Sequence, residues 1–166
     1  MVWRMEDGSL IISGIPATIL VGNYEGHIKD VTRAGGERDA ELLRTMGNYQ
    51  YWDPKNTNVF EFNATCIGST ATFEMMLLGG SVTTGQFMGS AVEQWPRKNY
   101  DFHMIFTDTT ASAGPQMKIS CISAFVTNTG FKASNTDSME ETITWKCLPG
   151  LYKKQYTQNR TGSPIV

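Results

Sequence analysis

Alternation of apolar and polar positions dominates this chain, and its period is that of a β-strand. Over Val59–Cys66, Phe60, Phe62, Ala64 and Cys66 share one face, and Val59, Glu61, Asn63 and Thr65 the other. Asn99–Thr107 repeats the pattern, with Tyr100, Phe102, Met104 and Phe106 set against Asp101, His103, Ile105 and Thr107. Gln116–Thr127 puts Met117, Ile119, Cys121, Ser123 and Phe125 on one face, and it is expected to pair with the strand before it as a hairpin. In Ser138–Leu148 the inward set is Ile143, Trp145 and Cys147, and the outward set is Thr142, Thr144 and Lys146. Nearer the start, Leu10–Val21 reads as two short strands or one kinked edge strand, because Pro16 has no N–H to give to a ladder. Tyr24–Thr32 reads as a continuation of that sheet.

One stretch has the helical period instead. Ala71–Leu78 places Phe73, Met76 and Leu77 at i, i+3 and i+4, with Ser69 or Thr70 available as a cap, Glu74 in the first turn and Gly79-Gly80 as the stop. Between Arg33 and Asn58 neither period holds: Gly35-Gly36 opens the segment, Glu37-Arg38-Asp39-Ala40-Glu41 follows, and Trp52-Asp53-Pro54 closes it. We read a long inter-strand loop there, in which Arg38–Met46 could form a short helix. Residues 1–9 read as an N-terminal arm. Residues 151–166 read as an aperiodic C-terminal extension that is loose in the free subunit. The fold class expected is mainly β, a single domain over residues 1–166 with a sandwich or barrel-like core of six to eight strands and one flanking helix.

Composition narrows the function. Of 166 residues 40% are hydrophobic and only 18% charged, with a formal net charge of -2, so a basic groove for nucleic acid has little to draw on. Cys66, Cys121 and Cys147 lie far apart in alternating or apolar runs and read as buried free thiols of a protein assembled in a reducing compartment, without a disulfide inside the subunit. His27 near Glu25 and His103 near Asp101 read as surface or cross-strand pairs, since no set of metal ligands accompanies either. Glu140 and Glu141 point to opposite faces of a strand and read as a solvated strand end. No glycine-rich phosphate cradle and no nucleophile elbow occurs. We therefore expect no catalytic residue, no cofactor and no metal. Glu6 and Asp7 stand where a secretory leader would be apolar, and no apolar run reaches the length of a membrane span.

Three stretches, Ala64–Gly80 (ATCIGSTATFEMMLLGG), Tyr100–Thr107 with its partner Gln116–Gly130, and Phe131–Leu148 (FKASNTDSMEETITWKCL), resemble the family of bacteriophage tail tube proteins, also called major tail proteins. The resemblance extends to the tubes of contractile tails and of type VI secretion. It implies a non-enzymatic virion protein that self-assembles into stacked hexameric rings. The tape measure protein, and later the DNA, passes through the resulting tube without specific binding, and the subunit binds no membrane. It also implies synthesis and assembly in the host bacterial cytoplasm. In such a tube the long loop and the chain ends would bridge successive rings, which singles out Arg38, Asp39, Glu41, Arg44 and Trp52 as candidate inter-ring residues. The rival readings are another tail or head component (a terminator, connector or decoration protein) and a carbohydrate-binding β-sandwich using Tyr49, Tyr51 and Trp52.

Overall fold

The computed structural model describes residues 7–20, 22–36, 39–44, 46–47, 50–55, 59–68, 70–108 and 116–156, with 39–40 and 51–55 described by their backbone. Its elements are β1 (Asp7–Ser13), β2 (Tyr24–Gly35), β3 (Asp39–Arg44), β4 (Gln50–Lys55), β5 (Phe60–Ile67), α1 (Thr72–Leu78), β6 (Ser81–Thr83), β7 (Gln86–Met88), β8 (Tyr100–Thr107), β9 (Gln116–Lys132), β10 (Glu140–Cys147) and β11 (Tyr152–Tyr156). Seven strands form one antiparallel sheet in the order β10-β5-β2-β1-β8-β9-β11, and a further β10–β9 pairing closes it.

Two long strands make the closure. β2 gives Tyr24–His27 to β1 and Ile28–Gly35 to β5. β9 gives its first half to β8 and β11 and its second half, Phe125–Lys132, to β10. Each strand thus bends from one side of a flattened barrel to the other. One side is five-stranded (β2, β1, β8, β9, β11) and the other four-stranded (β2, β5, β10, β9).

The bend in β9 is a bulge. Phe102 pairs with Cys121 but Tyr100 with Ala124, so β9 carries one extra residue there. Ser123 takes the left-handed conformation at φ +55, which is uncommon for a residue with a side chain. Two hydrogen bonds hold it: its N–H donates to Asp101 Oδ1 at 2.9 Å, and Asn99 Nδ2 donates to its Oγ at 3.0 Å. The bulge also reverses the expected facing. Ala124 and Val126 are buried and Phe125 is 42% exposed, whereas unbroken alternation would have turned Ser123 and Phe125 inward.

Between the two sides lies the core. Trp145 of β10 stacks on its neighbour Phe62 at 5.5 Å and, across the barrel, on Phe102 at 4.2 Å, with both ring pairs within 9° of parallel. Leu10, Ile12, Ala64, Cys66, Tyr100, Met104, Cys121 and Ile143 belong to it; of these Ala64, Cys66, Tyr100, Met104 and Ile143 lie on the faces expected from the alternating runs of β5, β8 and β10, and Cys121 on the face expected for β9. α1 packs Phe73 and Met76 into this core, with Phe73 meeting the Tyr24 ring at 4.7 Å. Gly79 stops the helix at φ +66, its N–H donating to the Met75 carbonyl. The expected side-chain cap is replaced. Ala71 stands at the N-cap position, Thr70 Oγ1 reaches the Thr72 N–H only at 3.4 Å, and the Thr70 N–H is taken by the Glu141 carboxylate of β10.

Several expectations change. β1 is central, not an edge strand, and ends before the proline; residues 17–19 form a turn, and the Pro16 carbonyl accepts from the Ile19 and Leu20 N–H groups. The segment read as a long loop holds the β3–β4 hairpin, and a strand over Asp39–Arg44 takes the place of the helix considered for Arg38–Met46. Ser81–Met88 is two three-residue strands, not one. Glu140 and Glu141 are buried, not solvated, because each meets a donor. Of the segment read as a loose extension, Tyr152–Tyr156 forms β11, running along β9 beyond the end of β10. Residues 157–166 of that extension, and 1–6 of the N-terminal arm, lie outside the described residues.

Candidate assembly interface

Two ribbons stand outside the large sheet, each a pair of strands with no third strand beside it among the described residues. In the first, β3 and β4 pair Asp39 with Lys55, Glu41 with Asp53, Leu42 with Trp52, Leu43 with Tyr51 and Arg44 with Gln50. β2 and β5 are neighbours that end at Gly35 opposite Phe60, so the ribbon leaves the barrel at the tip of a hairpin. Gly35 and Gly36 both have positive φ, and a Cβ on either would collide with the Val59 carbonyl or the Phe60 ring, which is why the exit needs glycine. Leu42 is 40% exposed and Met46, in the turn, fully so. The second ribbon, β6–β7, turns at Thr84-Gly85, both with positive φ, and exposes Val82 and Met88. A lone two-stranded hairpin is marginal in water, and exposed apolar side chains along it leave its stability to a neighbour.

Of the residues singled out from sequence, Asp39, Glu41, Arg44 and Trp52 are brought together on the β3–β4 ribbon, and Arg38 lies outside the described residues. Sequence reasoning missed β11, which is the last strand of the sheet among the described residues and carries Lys153 and Lys154, the residue type that commonly guards an open edge. The signal available was Tyr152 and Tyr156, two aromatics at even spacing; the Tyr152 ring packs edge-on to Phe60 at 5.0 Å.

The outward face of the four-stranded side is ordered in rows. Thr32, Asn63, Thr144 and Asn128 form one row across β2, β5, β10 and β9, and Asp30, Thr65, Thr142 and Gly130 form the next. At one end of the face Lys29 donates to Glu140, with Ile67 and Lys132 flanking that carboxylate in register. At the other end Glu61 and Lys146 approach to 4.0 Å. The Lys29 contact holds the Glu140 carboxyl below its ordinary pKa and raises that of Lys29. Behind this face, burial pushes the Glu141 carboxyl above the usual range, against the pull of its hydrogen bond from Thr70.

No constellation for covalent or acid–base chemistry emerges among the described residues. His103 Nδ1 meets Ser120 Oγ at 2.9 Å, and burial, with Lys118 nearby, lowers its pKa. Its sequence neighbour Asp101 instead accepts the Ser123 N–H. His27 faces Asp7 at 4.0 Å on an exposed surface. No group of three His, Cys, Asp or Glu side chains that could hold a metal occurs among the described residues. All three cysteines are free and buried, and burial pushes Cys66 and Cys121 up to about 12, so they remain thiols at neutral pH. No helix is long and apolar enough to cross a membrane among the described residues.

No family model and no curated relative matches the sequence. Solved structures do. A chain of the anti-feeding prophage (AFP) baseplate, 6-fold symmetrised, superposes with a TM-score of 0.56 at 7% identity, over 93% of this chain and 96% of that one. A chain of the PVC sheath-tube complex, an extracellular contractile injection system in its extended state, gives 0.51 at 16% identity, over 88% and 87%. One from the PVC sheath/tube terminator gives 0.51 at 16% identity, over 88% and 92%. The fold is thus shared with chains of these assemblies, as the sequence resemblance implies.

Proposed function

We propose that this chain is a non-enzymatic structural subunit that polymerises with copies of itself into stacked hexameric rings, forming the tail tube of a phage-type particle and so a conduit for genome delivery. The β3–β4 ribbon carries the proposal: a hairpin with exposed apolar and charged side chains, set off from the end of β2 at Gly35 and Gly36, has the form of a clasp for a neighbouring ring. Asp39, Glu41, Arg44 and Trp52, with Arg38 before them, are its contact residues. Support comes from the fold shared with chains of a sheath-tube complex and of a 6-fold symmetrised baseplate. The open β11 edge is suited to joining subunits around a ring, where a partner strand satisfies its backbone groups. The tape measure protein and DNA would occupy the tube, whose place is the virion tail after assembly in the bacterial cytoplasm.

The test is to excise the ribbon at its base, replacing residues 37–58 by a short Gly-Ser linker. β2 and β5 would remain a paired hairpin, and closing a shorter loop costs little. We expect a soluble, sheet-rich subunit by circular dichroism that no longer builds tubes in negative-stain microscopy, while the wild-type protein does. Normal tubes from the excised variant, or no ring or tube from the wild type, would overturn the proposal. Wild-type rings that stop at a single layer would favour a terminator; one of the similar chains comes from a sheath/tube terminator structure.

A further inference from the structure

We infer that a groove between the end of α1 and the second half of β9 binds an extended peptide segment of another protein, one that carries an apolar side chain beside a carboxylate. Leu77 of α1, Phe125 and Val126 of β9, and Trp95 and Pro96 of the connector before β8 line the groove, which encloses about 320 Å³. Its walls are fixed in place. The Trp95 Nε1–H donates to the Ser90 carbonyl at 3.0 Å. Pro96 lies against the end of α1, so close that a Cβ on Gly79 would stand 3.2 Å from its Cδ. Phe125 reaches the groove through the β9 bulge: Ser123, at φ +55 and held by Asp101 and Asn99, puts the alternation out of phase and leaves this ring exposed. An uncommon backbone conformation persists only where its surroundings enforce it, and its product here is an aromatic wall in contact with solvent.

Size, shape and charge select the occupant. A groove of this volume takes one or two side chains of a segment, not the broad patch of a permanent subunit contact. Past Ala124, β9 parts from β8 and no described strand takes that side, so an extended segment has a strand edge to follow. The charged side chain of the lining is Arg97, which is exposed and makes no hydrogen bond or ion pair among the described residues. Glu93, on the preceding turn, does not pair with it. A guanidinium matches a carboxylate through parallel hydrogen bonds, and the apolar walls take the side chain next to that carboxylate. A nucleic acid is retained where several unpaired cations displace its counterions; Arg97 with Lys98 beside it, in a chain of net charge -2, is a thin basis for that.

The test uses the full chain as a dissociated subunit, with anilinonaphthalenesulfonate as an apolar anionic probe and N-phenylnaphthylamine as its neutral relative, both followed by fluorescence. The wild type should bind both. Arg97→Gln should weaken the anion about tenfold and spare the neutral probe, since it removes one charge-assisted contact and leaves the walls intact. Phe125→Ser should weaken both while circular dichroism stays unchanged. The peptide acetyl-Glu-Leu-Glu-Leu-amide should displace the anionic probe from the wild type, and its Gln-for-Glu analogue should do so about tenfold less well. The inference falls if the wild type binds neither probe, if either substitution leaves the anionic probe's affinity unchanged, or if the two peptides displace it equally or not at all. Displacement by a single-stranded oligonucleotide in place of the acidic peptide would assign the groove to nucleic acid and overturn it. Expulsion of the probe on assembly into tubes would make a second copy the occupant, so the inference would fail while the tube reading stands.

Discussion

Trp145, fully buried between Phe62 and Phe102, links the two sides of the barrel through its ring faces. Trp145→Ala should therefore lower the unfolding free energy by about 3–5 kcal/mol in urea titrations, the range for deleting a large buried aromatic. Glu141 gives a signed pH effect. Burial raises its pKa in the folded state, so the folded chain binds the proton more tightly than the unfolded one, and its ionisation removes stability as pH rises through the folded pKa. In Glu141→Gln that loss is absent. Comparing urea midpoints, the stability of Glu141→Gln relative to wild type should rise as pH increases from the ordinary carboxylate value of 4.5 and then level off. A flat difference would mean the carboxyl is not strained by burial. At both positions the sequence indicated the strand face but not the neighbour: Trp145 was legible as core from its alternation, whereas Glu141 was hidden because its donor, Thr70, is distant in sequence.

Among the elements, β5, β8, β10 and α1 were readable because each buries one periodic face, and period is a local property. β3 and β4 were not, since Asp39, Pro54 and Lys55 are poor strand formers and the organising pairs, Leu42 with Trp52 and Leu43 with Tyr51, join residues on separate strands. The β9 bulge was invisible for another reason: one inserted residue leaves composition unchanged and restarts the alternation out of phase. As for the candidate assembly residues, sequence located their segment but not the ribbon that gathers them. The β6–β7 turn offers a test at this scale. Thr84 has φ +53, a conformation glycine adopts without the crowding a Cβ brings. Thr84→Gly should stabilise the subunit by about 1 kcal/mol in thermal or chemical unfolding, and Thr84→Val should destabilise it.

For the whole molecule, folding and assembly make separable demands. Met46 is fully exposed at the tip of the β3–β4 ribbon, so Met46→Asp should shift subunit stability by less than about 0.5 kcal/mol. The same change should raise the concentration needed for tube growth, followed by light scattering, because an apolar tip that docks on a neighbour would then carry a charge to be desolvated. Equal growth of both proteins would place the contact elsewhere. The shared strands also have a mechanical side. Because β2 and β9 each run through both sides of the barrel, prying those sides apart loads rows of hydrogen bonds in parallel instead of opening them singly. Opening the barrel between its sides means breaking such a row together, so a filament built from it and pulled along its length should part at the joints between subunits before any subunit unravels.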